Sequence, residues 1–460
     1  MKKESNKLSY KAMLGYSIGA WGDYTAYGFI YSFLSFFLTT IAGVSPAVSG
    51  MIISAAVVWD AVTDPIAGVL MDNLKCKYGK RRPFIATSII PLGASIVLLF
   101  LNIDCAQSLK NIYYFVLVLV FWTSYTIWNI PYYSLGAVIA KSDEERTKIA
   151  GIRQVAGFIG TFCSSTVPTF LVGKFLETGM KNDTAWFYIG VIVAAIVVIT
   201  IVIMWRSTRG LEAVEHVAHK ERQSIKSLLS DIGKVMRLKP YLIVIVCALC
   251  MNVNMALFNS NVMYFGIYNL GVGEAQVSMI FLAQNITSIA LVPVLTKLGL
   301  KIDKKSVFVT CMCISGITMI AAKFIGISSL TMAIVYMIIV SIGSAAYWMF
   351  IFNFLYDVAD YDEVKSGKRK DGIIMSFYSF LLKLGGAVAS LVMGLALEAG
   401  GFVSDAAEQS ASALSTIESM FTLFPGIFVL ISGLIVVLTP LTRKKMGKIQ
   451  EQLSAVQTTE

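Results

Sequence analysis

Charged residues are scarce in this chain: Asp, Glu, Lys and Arg make up only 14% of its 460 residues, and 56% of the residues are hydrophobic. Soluble domains are typically about a quarter charged, so this composition excludes an ordinary soluble domain. Long apolar stretches are present instead, and about 18 such residues suffice to span a bilayer as a helix. We predict an all-α integral membrane fold of twelve spans, near residues 11–41, 47–72, 84–103, 111–139, 148–173, 184–205, 240–268, 275–298, 305–324, 328–356, 372–399 and 418–441.

Histidine is nearly absent, and the cysteines show no metal-binding pattern. His216 and His219 are the only histidines, and both lie in a hydrophilic stretch between predicted spans. Cys247 and Cys250 form a C-x-x-C within the seventh span, without a second pair or a nearby histidine, and we interpret them as packing residues. A membrane-embedded enzyme would need a nucleophile, a metal-ligand set or a general acid and base at an accessible site, and the sequence does not support that class. We expect no cofactor.

One long hydrophilic stretch, from Trp205 to Pro240, divides the spans into six and six. This arrangement is typical of a transporter built from two pseudo-symmetric halves. We predict an N-terminal half at 1–205, a cytoplasmic linker at 206–239, a C-terminal half at 240–442 and a cytoplasmic tail at 443–460. Within the linker, residues 225–237 fit either an amphipathic surface helix or a solvated connector.

The basic residues indicate the orientation. Lys and Arg lie almost entirely on the side of the predicted membrane that holds both termini, and the positive-inside rule makes that side the cytoplasm. The exceptions are Lys110, Lys174, Lys181 and Lys323 on the other side, and Arg153 and Lys383 within spans. The basic residues of the cytoplasmic loops thus explain the net charge of +10 without a nucleic-acid partner. We predict a plasma-membrane protein that binds no nucleic acid. The first span lacks a small-residue cleavage site, which favours a retained helix over a signal peptide.

Two carboxylates lie inside the second span, in Trp59-Asp60-Ala61-Val62-Thr63-Asp64-Pro65. Asp60 and Asp64 are four residues apart and so share one helix face, with Thr63 beside them. A charge at the bilayer centre costs about 2.5 to 3.5 kcal/mol on insertion scales, so such groups usually bind or move something. Two repelling carboxylates favour a bound cation or a shared proton. The alternative is a static network in which Lys383 neutralises both acids.

A polar and aromatic stripe on the fourth span is compatible with two kinds of ligand. Its residues are Trp122, Tyr125, Thr126, Asn129, Tyr132 and Tyr133. Thr126 and Asn129 can add neutral oxygens to the cation site, while the aromatic rings suit the apolar face of a sugar. Plain helix packing is the alternative. Asp23 on the first span and Arg153 on the fifth either pair with each other or jointly bind hydroxyl groups.

These motifs resemble the glycoside-pentoside-hexuronide:cation symporters, the melibiose permease-like branch of the major facilitator superfamily. The resemblance rests on the second-span string and on Gly22-Asp23, Gly79-Lys80-Arg81-Arg82-Pro83, Asn129-Ile130-Pro131-Tyr132 and Tyr356-Asp357-Val358-Ala359-Asp360-Tyr361. It implies the major facilitator fold and cation-coupled sugar transport. In that family the matching positions divide into a cation set, Asp60, Asp64, Thr63 and Thr126, and a sugar set, Asp23, Arg153, Tyr125, Asn129, Tyr133, Trp348 and Lys383.

Two positions depart from the melibiose permease pattern, because Thr63 replaces an amide and Asn129 replaces an acidic residue. Both changes weaken a Na⁺ site, whereas a pair of carboxylates still holds a proton. We expect Na⁺ as the coupling ion, with H⁺ and Li⁺ as alternatives, and a monomer that carries a glycoside, pentose or hexuronide. A symporter of lysolipids or other amphiphiles is the alternative within the same superfamily.

The cytoplasmic ends of the spans suggest a gate. Asp357 and Asp360 follow the tenth predicted span, and Lys80, Arg82 and Arg146 form a basic surface on the first half. Ion pairs between them would hold the inner side shut, although each exposed pair contributes only about 0 to 1 kcal/mol. Ordinary solvation of these loops is the alternative.

Overall fold

The computed structural model describes residues 8–73, 79–139, 143–212, 233, 235–367, 371–403, 406 and 408–457. Across these ranges the secondary structure is helical, with no β-strand. Twelve helical segments of the described chain are long and apolar enough to cross a membrane, which confirms the predicted number of spans. The two histidines and most of the proposed linker helix at 225–237 lie outside the described residues.

The first six spans follow the predicted boundaries within a few residues. They are α1 (Tyr10–Phe36), α2 (Pro46–Asn73), α3 (Arg82–Leu99), α4 (Gln107–Ile139), α5 (Asp143–Glu177) and α6 (Asn182–Ser207). A π-helical turn, Phe37–Ile41, extends α1. The α1 helix begins after Ser9, whose hydroxyl accepts the N–H of Ala12 at 3.2 Å and so caps the helix.

The remaining helices are α7 (Lys239–Tyr264), α8 (Glu274–Lys301), α9 (Lys304–Ile325), α10 (Leu330–Ser366), α11 (Asp371–Ala399), α12 (Ala411–Phe421), α13 (Leu423–Val437) and α14 (Arg443–Gln457). A π-helical turn, Phe265–Asn269, extends α7. The twelfth span consists of α12 and α13, which meet at Thr422. The tenth span continues past its predicted end at 356 as far as Ser366, so Asp357 and Asp360 lie within α10.

The helices form two compact units. The first contains α1 to α6 together with the segments Gly271–Leu282 and Leu391–Ser410. Within it α1 packs against α5 and α6, α3 packs against α4 and α6, and α2 packs against α4. Gly22 permits the close approach of α1 to α6, since a Cβ at this position would collide with the hydroxyl of Thr200. This packing fixes the height of the neighbouring Asp23.

The second unit contains most of the chain after α6. In it α9 packs against α10 and α13, and α13 packs against α7. Buried hydroxyl groups satisfy backbone atoms of neighbouring helices, as where Ser315 accepts the N–H of Gly343 at 2.8 Å. Such pairing is needed because hydrocarbon offers no other hydrogen-bond partners.

Candidate functional site

The two carboxylates of α2 meet one hydroxyl of α4. The Thr126 hydroxyl lies 2.7 Å from Oδ1 of Asp60 and 3.1 Å from Oδ1 of Asp64. Asp60 is only 3% exposed and Thr126 only 1%. One hydroxyl hydrogen can serve a single acceptor at a time. We call the group of these three oxygens the cradle. Such a cradle suits a small cation or an additional proton.

Thr63 lies beside this cradle, but its hydroxyl has another partner. It donates to the backbone carbonyl of Asp60 at 3.2 Å, which is a common arrangement for threonine within a helix. A threonine hydroxyl retains acceptor capacity while it donates. Thr63 therefore lies next to the carboxylates without a direct hydrogen bond to either one among the contacts that the structure gives.

The carboxylate of Asp23 is held by three donors from α4. Tyr125 and Asn129 donate to Oδ1, each at 2.8 Å, and Tyr133 donates to Oδ2 at 2.9 Å. The three donors are spaced four residues apart, so they form a single stripe along α4. Thr126 is one residue out of step with this stripe, which turns it towards α2 instead. The α4 helix thus donates hydrogen bonds to two carboxylate groups, Asp23 from one face and Asp60 with Asp64 from the adjacent face.

Arg153 of α5 contacts the Asp23 group through an aromatic ring. Its guanidinium carbon lies 4.5 Å from the ring centroid of Tyr133, within the usual range for a cation–π contact. Within the described part of the chain, no ion pair of 4.0 Å or less joins Arg153 to Asp23. The donors of the guanidinium are therefore not consumed by that carboxylate.

Asn129 joins only one of the two groups to which the sequence assigns it. Its amide nitrogen donates to Asp23 and also lies 3.3 Å from the Tyr125 hydroxyl. These contacts place Asn129 with the proposed sugar ligands. Thr126, from the same helix, is the residue that contacts the carboxylates of the cation cradle.

Trp348 and Lys383 belong to the second unit. Trp348 of α10 is 54% exposed, and its ring lies 5.3 Å from that of Tyr347. Lys383 of α11 is half-buried. Gly385 and Gly386, next on this helix, lie close to Asn252 of α7.

The backbone N–H groups of the proposed gate residues Lys80 and Arg82 bind a buried carboxylate within the first unit. The carboxylate of Glu212 accepts the backbone N–H groups of Lys80 at 3.0 Å, Arg81 at 3.1 Å and Arg82 at 3.4 Å. The Arg81 guanidinium adds an ion pair of 3.2 Å, and the Glu212 side chain is only 2% exposed. We call this arrangement the carboxylate nest. It is not apparent from the sequence, because Glu212 lies about 130 residues from its partners.

Arg82 also connects the start of α3 to the end of α6. Its guanidinium donates to the carbonyl of Trp205 at 2.6 Å and to the hydroxyl of Thr208 at 2.9 Å. In the second unit, Asp357 forms an ion pair with Lys304 at 2.5 Å. The side chain of Arg146 lies outside the described residues, and the gate stays a prediction.

Comparison with known proteins adds an independent line of evidence. A family described as "MFS/sugar transport protein" matches residues 15–443. The chain is 27% identical to the isoprimeverose transporter of Lactiplantibacillus pentosus, covering 91% of this chain and 86% of that protein. It is 24% identical to a glucuronide carrier protein homolog of Escherichia coli (strain K12), covering 97% and 95%. A solved D-xylose-proton symporter shares the fold, with a TM-score of 0.65, 11% identity, and coverage of 93% of this chain and 97% of that one.

Proposed function

The chain belongs to the family of MFS/sugar transport proteins, and from that premise we propose that it is a cation-coupled sugar symporter that works by alternating access. It is a multi-pass membrane protein with the major facilitator fold, and a transporter rather than an enzyme. The coupling ion, the ligand roles of individual residues and the transport cycle are the parts proposed here.

One observation carries the proposal: a single helix, α4, supplies hydrogen-bond partners to two carboxylate groups from adjacent faces. The Asp60–Asp64–Thr126 cradle offers oxygen ligands for the coupling ion. The Asp23 group offers an ordered carboxylate, an amide and two phenols, which match the hydroxyl groups of a sugar. Because both groups share α4, a shift of that helix caused by cation binding would reach the sugar ligands directly.

The cycle begins with relief of repulsion between Asp60 and Asp64 by the cation. Sugar then binds near Asp23 and Arg153, and the loaded protein exchanges between its outward-open and inward-open states. Such coupling is typically worth about 1 to 3 kcal/mol and is reciprocal, so sugar must tighten cation binding by the same factor. We propose Na⁺ as the coupling ion, with H⁺ or Li⁺ as the alternatives, and both termini in the cytoplasm.

The substrate class follows from the donors and acceptors of the Asp23 group. A carboxylate beside aromatic rings recognises neutral hydroxyls, and the nearby guanidinium can in addition pair with a uronate. We therefore propose a glycoside, pentoside or hexuronide. The names of the relatives, an isoprimeverose transporter and a glucuronide carrier homolog, agree with this range.

Uptake by proteoliposomes tests the proposal. The purified protein is given a panel of glycosides, pentoses and glucuronides under an imposed Na⁺ gradient, an imposed H⁺ gradient or no gradient. We expect one gradient to drive accumulation of at least one sugar, and Asp60→Asn and Asp64→Asn to abolish that accumulation. Accumulation that survives in Asp60→Asn would exclude the cradle as the coupling site. Transport of lysolipids without competition by sugars would favour the amphiphile alternative.

A further inference from the structure

Tyr27 of α1 lies next to the α4 residues that hold Asp23. It follows Asp23 by four residues and so lies one helical turn further along the same face. Its ring is 6.1 Å from that of Tyr125, which donates to Asp23. Its phenol is close enough to interact electrostatically with both Asp60 and Asp23. Tyr27 is thus placed to sense the charge of the cation cradle and the sugar group together.

The ring of Tyr27 is held in place, yet much of it stays accessible. Tyr31 stacks against it at 5.6 Å with planes 15° apart, and Trp122 meets it edge-on at 6.0 Å and 81°. The residue is nevertheless 41% exposed. A lipid-facing position is unfavourable for a ring beside two carboxylates, because charged groups next to hydrocarbon are costly. The exposed part of Tyr27 is thus a surface that a ligand can reach.

An ordered phenol with an accessible face suits a sugar. The apolar C–H face of a pyranose or furanose ring packs on an aromatic ring, and the hydroxyl supplies a hydrogen bond at its edge. Since Tyr31 and Trp122 already restrict the ring, little further conformational entropy is lost when a ligand binds. The phenol interacts electrostatically with Asp60, so a cation that neutralises that carboxylate changes the field at the hydroxyl.

We infer that Tyr27 is both a sugar-stacking residue and the link through which cation occupancy of the Asp60–Asp64 cradle changes sugar affinity. This inference rests on the proposed symport. The ring supplies the binding surface, and the hydroxyl supplies the dependence on the cation. The two contributions are separable, because phenylalanine keeps the first and removes the second.

The test measures sugar affinity with and without the coupling cation in purified protein. The probe is the glycoside or glucuronide that the wild-type protein accumulates best. The ratio of the two dissociation constants is the coupling factor, for which about 5 to 150 is typical. We expect Tyr27→Phe to keep the sugar affinity measured without cation and to lower the coupling factor towards one. We expect Tyr27→Ala to weaken sugar binding at least tenfold under both conditions.

Tyr188→Phe is the matched control, since Tyr188 of α6 is also exposed, at 47%, but its ring contacts are Phe175 and Phe187. It should match the wild type. A wild-type coupling factor in Tyr27→Phe together with wild-type affinity in Tyr27→Ala would overturn the inference. A wild-type protein whose sugar affinity ignores every cation would instead refute the proposed symport, so the two failures are distinguishable.

Discussion

The guanidinium group of Arg153 lies over the ring of Tyr133, with its Cζ 4.5 Å from the ring centroid. The hydroxyl of the same tyrosine donates to Asp23 at 2.9 Å. Tyr133 therefore contacts both the cationic and the anionic side chain, one through its ring and the other through its hydroxyl. The guanidinium, which also interacts with the Tyr16 hydroxyl, thus lies near a carboxylate whose oxygens retain acceptor capacity for a ligand hydroxyl.

Removing the Tyr133 hydroxyl should weaken sugar binding and leave cation binding intact. Tyr133→Phe keeps the ring under Arg153 but deletes one of three donors that orient Asp23. A hydrogen bond to a charged group is worth about 1.5 to 3 kcal/mol, so we expect sugar affinity to fall at least tenfold in an equilibrium binding assay. An unchanged sugar affinity in this variant would mean that Asp23 is oriented well enough by Tyr125 and Asn129 alone.

The Thr126 hydroxyl should matter for the cation in the same way. Thr126→Val keeps the shape of the side chain and removes an oxygen that contacts both Asp60 and Asp64. We expect the cation concentration for half-maximal uptake to rise roughly tenfold, the equivalent of one hydrogen bond or ligand of about 1.4 kcal/mol. Thr126→Ser retains the oxygen and should stay close to wild type. Equal effects of the two substitutions would point to packing instead.

Substitution of Asn129 should affect the sugar group and leave the cation cradle unchanged. Its amide contacts Asp23 and Tyr125, so Asn129→Leu should reduce sugar affinity. Cation affinity measured without sugar, for example by calorimetry, should stay unchanged because the cradle loses no ligand. A weakened cation affinity in the absence of sugar would return Asn129 to the cation site.

Much of the fold was predictable because a membrane span is a one-dimensional signal of length and apolarity. The end of α10 was not, since residues beyond 356 are charged and the helix continues past the apolar stretch to Ser366. The interruption of the twelfth span at Thr422 and the π-helical turns after α1 and α7 cannot be predicted from the amino-acid composition of these segments. They depend on how neighbouring helices pack.

The candidate site was predictable for a related reason: polar residues in apolar spans are conspicuous. What the sequence left open was which face of α4 each residue takes. Residues 125, 129 and 133 share one face and Thr126 another, and only the packing of α1 and α2 on those faces separates the two groups. Tyr27 was overlooked because a tyrosine in a span also fits ordinary packing.

The carboxylate nest at the start of α3 should be important for stability. Glu212→Ala would leave the partly buried N–H groups of Lys80 and Arg81 without their carboxylate acceptor, at up to about 1 to 3 kcal/mol for each group, and would also remove the Arg81 ion pair. We expect a melting temperature several degrees lower in detergent. Glu177→Ala is the control, because its ion pair with Lys174 is exposed and should contribute at most about 1 kcal/mol. Similar losses in both variants would mean that water replaces Glu212 without penalty.

A close contact between α2 and α11 makes Gly394 sensitive to substitution. A Cβ at this position would collide with the carbonyl oxygen of Pro46 and lie 2.8 Å from Cα of Gly50. Backbone atoms cannot move aside as side chains do, so Gly394→Ala should force the two helices apart and weaken the bond from the Ala47 N–H to the Glu398 carboxylate, now 2.8 Å. The expected result is looser contact at the N-terminus of α2, the helix that carries Asp60 and Asp64.

The measurement uses Ala47→Cys in a background without the native cysteines, since Ala47 is only 8% exposed. A hydrophilic thiol reagent should label this cysteine several times faster when Gly394→Ala is present. Gly151→Ala on α5 provides the control, because a Cβ there meets nothing within 4 Å. Equally slow labelling in both variants would show that the contact between α2 and α11 accommodates a methyl group. Glycine would then not be required at position 394 to keep the two helices in contact.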